Sequence, residues 1–314
     1  MFQLFKRRNF SEFVGDTFTF FNLYGKHYFK NYLIINGGLL LILLVLVYFV
    51  SQIFFEGFFS NISTGFSDNQ LDAIINNNIG LFIGSGAFAM ILILLISLLS
   101  YTYPVVYLNL SEKNTAFSTG DIVNAIKAKT GKVITFFLAS LVIVFPLLAI
   151  GLALCFALIF IIIGIPIIMI FIPAFISWYS LSFYDYLSTD NGYFESLGRG
   201  WKMMQPKIWH VVGSTIIMYI IIQVAMGIIT MIPYVMGVAS IFTDLDNPNA
   251  VPNPEKFSFF MMMMVLVMVL SILLNFIFQN LLLVNHGIVY YSLREESENN
   301  TPKSEIDLIG TDRE

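Results

Sequence analysis

Long apolar runs alternate with shorter polar stretches along this chain, and the runs set the number of elements. They fall at about residues 33–55, 79–103, 133–160, 166–186, 208–233 and 258–289, each near or above the ~20 residues that carry a helix across a bilayer. The third and fourth runs are joined. No charged residue lies among the 52 between Lys132 and Asp185, and no Ser, Thr, Asn or Gln occurs from Leu141 to Ile176. That length suits two spans rather than one, so the reversal falls to "GIP", Gly164 to Pro166. Backbone at such depth needs neighbouring helices to satisfy its polar groups.

The polar stretches before the odd-numbered runs have a period of their own. Phe10, Phe13, Val14, Phe18 and Phe21 fall on one helical face with Glu12 and Asp16 opposite. Ile122 and Ile126 oppose Asn124 and Lys127; Tyr193, Phe194, Leu197, Trp201 and Met204 oppose Glu195, Arg199 and Lys202. This is amphipathic-helix spacing. The three stretches end alike, in Gly25-Lys26, Gly131-Lys132 and Pro206-Lys207, a helix breaker and then a base. Such helices lie in the membrane interface with Lys and Arg toward anionic lipid headgroups. The predicted fold is therefore all-α: a polytopic membrane protein whose six transmembrane helices form three hairpins, each preceded by a cytoplasmic interfacial amphipathic helix. Residues 1–294 read as a single membrane domain. Residues 295–314 read as a disordered tail, with seven acids against two bases.

Composition agrees, with 57% hydrophobic and 11% charged residues where soluble domains carry about 25% charged. Fifteen of the sixteen Lys and Arg fall on one side of this topology, and only Lys256 on the other. The positive-inside rule makes that side, and both termini, cytoplasmic. The first run is too long for a signal-peptide core and reads as a retained span. A net charge of -4 gives no reason to expect nucleic acid. The one cysteine, Cys155, sits in an apolar run, which leaves no disulfide framework and no Cys-based metal site.

Candidate chemistry is sparse. His27, His210 and His286 are scattered, and none of the common protease, esterase or ATPase motifs occurs, so neither catalytic residues nor a metal or cofactor is expected. Asp244 and Asp246 lack the ligand spacing of an EF-hand and read as part of a solvated loop. By these spans no Asp, Glu, Lys or Arg lies near mid-bilayer, which counts against an ion-coupled transporter. Span six carries a candidate polar face of Ser271, Asn275, Gln279 and His286, with Asn280 and Asn285 beside them. It would line a lipid headgroup slot or a narrow path; the default is hydrogen bonding between helices. Gly80 and Gly84, with Gly86, form a small-residue face suited to close helix packing, within the chain or between protomers. Met261 to Met264 read as adaptable packing. Interfacial and docking roles fall to Lys26, Lys132, Arg199, Trp201, Lys202, Lys207 and Trp209.

The order "GIPIIMIFIP…SFYDYLSTDNGYFESLGRGWKMMQPKIWHVVG" resembles the superfamily that includes the glycerophosphoryl diester phosphodiesterase membrane domain. The matching positions are Pro166, Asn191-Gly192, Ser196, Gly200, Trp201, Lys207, Trp209 and Gly213, then Tyr290, Tyr291, Leu293 and Arg294. Asn191 stands where an acid is usual, and Ser292 replaces an Asp. The resemblance covers about the last 150 residues and implies six spans in a bacterial inner membrane. It implies no catalysis, because the phosphodiesterase chemistry belongs to a separate soluble domain. The expectation is a non-catalytic subunit or scaffold of an envelope complex, in contact with lipid and with other membrane proteins. The alternative is a transporter or lipid-handling protein with a path along span six.

Overall fold

In the computed structural model the described residues are 2–64, 68–113, 116–159, 163–242 and 254–298, without the side chains of 54–64, 68–77, 242, 254 and 255. They form α1 (Phe10–Thr64), α2 (Asp68–Lys113), α3 (Thr119–Ile159), α4 (Gly164–Ser188), α5 (Tyr193–Met204), a 3-10 turn (Gln205–Lys207), α6 (Ile208–Phe242) and α7 (Pro254–Glu298). Six helical stretches are long and apolar enough to cross a membrane: Phe10–Ile53, Asn78–Lys113, Thr119–Ile159, Gly164–Ser188, Tyr193–Ile241 and Lys256–Glu298. The chain is thus an all-helical, multi-pass membrane protein. Asp244, Asp246 and the tail beyond Glu298 lie outside the described residues.

The helix boundaries differ from the expected ones for local reasons. Gly25-Lys26 and Gly131-Lys132 do not break the chain: α1 and α3 run straight through them. A glycine costs a helix only about 1 kcal/mol, which the long flanking apolar segments outweigh. Pro206 does interrupt, because it lacks an N–H, and the backbone passes it in a 3-10 turn. Only the third polar stretch is therefore a separate helix, α5. With 55 residues at ~1.5 Å each, α1 is more than twice as long as the ~30 Å hydrocarbon core, so the span is only part of it. "GIP" is not the reversal itself but the first turn of α4, where a proline's missing donor has no helical partner to lose. Gly164 is required there, since a Cβ would lie 2.7 Å from the Leu158 carbonyl carbon of α3. At the other end α7 continues through Glu298, into the segment expected to be disordered.

The chain gathers into two compact units, residues 1–31, 101–220 and 280–314 in one and 32–100 and 221–279 in the other. In the first unit Phe13, Thr17, Phe20 and Tyr28 form a buried stripe on α1, while Phe18 faces outward. Tyr28 stands edge-on to Tyr103 and to Tyr107, each with centroids 4.8 Å away. Phe136 of α3 is ringed by Tyr179, Phe183, Tyr186 and Tyr193 at 5.1 to 5.4 Å. α5 splits its apolar residues: Leu197, Met203 and Met204 are buried, whereas Phe194 and Trp201 are exposed. Gly200 lets α5 approach α4, since a Cβ there would lie 3.0 Å from the Ser182 nitrogen.

In the second unit Tyr32 joins three helices, its hydroxyl bonding to Ser100 Oγ of α2 and to the Phe276 carbonyl of α7, both at 2.9 Å. Gly237 brings α6 close to α7, where an added Cβ would meet the Met263 Cβ at 2.9 Å. Around these contacts lie many outward apolar side chains, among them Ile83, Met90, Ile228 and Ile232. On a soluble protein such a surface would drive association; a helix facing lipid requires it.

Candidate functional site

The densest polar chemistry lies at one end of the first unit, around Asp185. It sits at the C-terminal end of α4 among Phe183, Tyr184 and Tyr186 and is fully buried. The Thr189 N–H and hydroxyl both donate to its main-chain oxygen, at 2.9 and 2.7 Å, and end the helix. Its carboxylate is met from three elements. Asn191 Nδ2 donates to Oδ2 at 2.8 Å, the Tyr290 hydroxyl of α7 to Oδ1 at 3.3 Å, and Arg199 Nε of α5 stands 3.5 Å away. A buried charge needs such pairing to persist. α5 begins at the Gly192 N-cap, whose N–H reaches the Glu195 carboxylate at 3.4 Å. That start places Arg199 about two turns further on, beside Asp185.

A second knot ties down the N-terminal segment. The Arg8 side chain is fully buried and donates from Nε to Asp16 at 2.7 Å and from Nη1 to the Leu4 and Lys6 carbonyls at 2.7 and 3.1 Å. Burial pulls its pKa down, and the bond to Asp16 opposes that shift. Its backbone N–H donates to Ser292 Oγ of α7 at 2.9 Å. The Asn9 side chain and Glu12 cap each other's backbone at the start of α1. Lys207 donates to the Arg8 carbonyl at 3.3 Å and pairs with Glu296 at 2.7 Å. Arg199 also pairs with Glu298, which accepts from Arg294. The N-terminal segment, the start of α6 and the end of α7 are clasped together.

These bonds redistribute the expected docking residues. Arg199, Lys207 and Lys132 are engaged within the chain, Lys132 with the Thr189 carbonyl and Asp190. Lys26 and Lys202 remain exposed, as do Trp201 and Trp209, the latter 69% accessible. His210 is also exposed, edge-on to Phe10.

The expected polar face of span six does not gather into one site. Ser271 donates to the Val267 carbonyl of its own helix at 2.7 Å, Asn275 is exposed and Gln279 is half-buried, all in the second unit. His286 belongs to the first unit and is buried, its Nε2 3.1 Å from Thr215 Oγ1, which lies 2.8 Å from Ser177 Oγ. A hydroxyl beside an imidazole suggests a nucleophile and its base. That chemistry needs substrate access and an acid orienting the far ring nitrogen. Thr215 is 2% exposed, and His286 Nδ1 has no partner among the described residues. Asn280 and Asn285 are likewise internal fasteners, Asn280 to Tyr28 at 2.8 Å and Asn285 to the Phe13 carbonyl at 2.9 Å. A Cβ added to Gly80, Gly84 or Gly86 would meet nothing within 4 Å among the described residues.

Asp185 and Arg8 were not among the expected site residues. The signal for Asp185 was a lone acid between aromatics at a span's end; nothing local marks Arg8 apart from its neighbours Lys6 and Arg7. Among the described residues no group of three His, Cys, Asp or Glu side chains could hold a metal ion. An apolar groove on the second unit is lined by Val224, Gly227, Ile228, Thr230, Met231, Tyr234 and Val267. Compared with known proteins, the chain matches no family model, no curated protein and no solved structure.

Proposed function

We propose that this chain is a non-catalytic scaffold or subunit of a membrane complex in the bacterial inner membrane. Its six spans pair as three hairpins with both termini cytoplasmic, and α5 lies along the cytoplasmic interface. One observation carries this proposal. Asp185 is bonded to Asn191, Tyr290 and Arg199 and Arg8 to Asp16, all within the chain, while Phe194, Trp201 and Trp209 of the same unit are exposed. Such a unit is rigid inside and amphipathic outside, suited to docking on headgroups and on membrane partners. Kinship with the glycerophosphoryl diester phosphodiesterase membrane domain is part of the proposal and rests on the motif positions from Pro166 to Arg294.

Purification in mild detergent followed by mass spectrometry tests it, with a stoichiometric membrane partner as the expected result. A lone protein that transfers lipid between liposomes in a headgroup-dependent way, and loses this with Asn275→Leu plus Gln279→Leu, would overturn it. Topology has a separate test: reporters fused at Ser67 and Asn249 are expected to report the extracytoplasmic side.

A further inference from the structure

At the C-terminal end of α4, ammonium groups gather with little acid to answer them. Lys129 donates to the Leu187 carbonyl, and Lys132 to the Thr189 carbonyl at 3.0 Å. Lys113, the last residue of α2, lies near enough that its charge and that of Lys132 both act on Lys129. Burial first, then these two neighbours, lowers Lys129 from its ordinary 10.5 to about 8. The carboxylate facing Lys132 is Asp190, 3.5 Å away and fully exposed. Glu112, which precedes Lys113, and Lys127 are both exposed.

Two helix-end carbonyls do not neutralise such a cluster. A helix C-terminus carries only about half a negative charge, and each ammonium has three N–H donors, of which a carbonyl uses one. The surroundings indicate which anion fits. Lys132 lies over the Tyr186 ring at 5.9 Å and immediately precedes the apolar part of α3. From there Ile134, Leu138 and Leu141 run as an outward stripe, 46 to 57% exposed. A phosphate at the lysines would have its acyl chains on that stripe.

We propose that Lys113, Lys129 and Lys132 form a binding site for the phosphate of an anionic phospholipid, with the Ile134–Leu138–Leu141 stripe holding its acyl chains. The site rests on α3 crossing the bilayer from this end. The reporter fusions read that topology separately, and lipid binding is scored with no partner protein present.

Thermal unfolding in nanodiscs of phosphatidylcholine, with and without phosphatidylglycerol, tests the site. Phosphatidylglycerol is expected to raise the midpoint by about 5 °C. The gain should vanish in Lys113→Gln with Lys129→Gln and persist in Lys30→Gln with Lys303→Gln, which removes equal charge elsewhere. Persistence in the first pair would overturn the site. An equal gain from inorganic phosphate in phosphatidylcholine discs, beyond chloride at the same ionic strength, would overturn the lipid assignment in favour of a free anion. Should the first pair not fold, native mass spectrometry of the wild-type protein in mixed lipids decides. Preferential retention of phosphatidylglycerol supports the site, and retention no greater than that of phosphatidylcholine overturns it.

Discussion

Asn191 donates its side-chain amide to Asp185 Oδ2 at 2.8 Å, across the turn that joins α4 to α5. This contact makes an amide, rather than a carboxylate, the side chain that fits at position 191. With Asp185 fully buried, a second carboxylate 2.8 Å away would set two like charges together, whereas an amide supplies a donor. Asn191→Asp is therefore expected to destabilise the protein by about 2 kcal/mol at neutral pH. Thermal melts at neutral pH check the loss.

Gly200 and Gly198 are two residues apart on α5 and make opposite predictions. A Cβ on Gly200 would press on the Ser182 backbone at 3.0 and 3.1 Å, and backbone cannot swing aside. Gly200→Ala should push α5 off α4 and cost about 2 kcal/mol. A Cβ on Gly198 meets nothing within 4 Å, so Gly198→Ala should gain up to about 1 kcal/mol of helix propensity. Matched unfolding curves of the two variants separate the cases.

Much of this architecture was legible in the apolar runs, and the misses have physical causes. Run length is read without knowing any neighbour, and each of the six runs falls in one of the six described stretches long and apolar enough to cross a membrane. Glycine was overrated as a breaker at Gly25 and Gly131, because its local cost is small beside that of opening a long helix. Pro206, which loses a hydrogen bond outright, was rated correctly. Along span six, burial divides residues that the sequence groups together. Spacing shows which residues share a face but not what covers it, and Asn275 is exposed while Asn285 is buried. Asp185 was passed over because its partners Asn191, Arg199 and Tyr290 come from the following turn, α5 and the far α7.

Arg8 should not tolerate even a conservative change. Its guanidinium serves Asp16 and the carbonyls of Leu4 and Lys6 at once, from a side chain with no exposure. A lysine offers a single point of charge in place of a fork, and it carries a larger hydration shell to lose. Arg8→Lys is expected to cost about 3 kcal/mol and to free the N-terminal segment for proteolysis. Arg7→Lys, at an exposed neighbouring position, should leave the cleavage pattern unchanged. Limited trypsinolysis in detergent, read by the mass of the first fragments, compares the two.

Asn36 and Asn285 are equally buried, yet their replacement by leucine should move stability in opposite directions. The Asn285 amide donates to the Phe13 carbonyl at 2.9 Å and to Thr17 Oγ1 at 3.0 Å, so it joins α7 to α1. Removing it leaves those acceptors without their donor in a dry interior, at a cost of about 2 kcal/mol. Neither polar atom of the Asn36 side chain has a partner among the described residues, and the same face of α1 continues with Leu40 and Leu43, both buried. Ile96, one turn from Ser100 on α2, is buried as well. An amide in that setting carries its desolvation penalty uncompensated, and a leucine of similar volume removes it. Asn36→Leu should therefore raise stability by about 1 to 2 kcal/mol. Unfolding of both variants in the same detergent system, with Asn36→Leu melting above wild type and Asn285→Leu below it, is the expected result. A loss in the first would mean that the Asn36 amide has a polar partner after all.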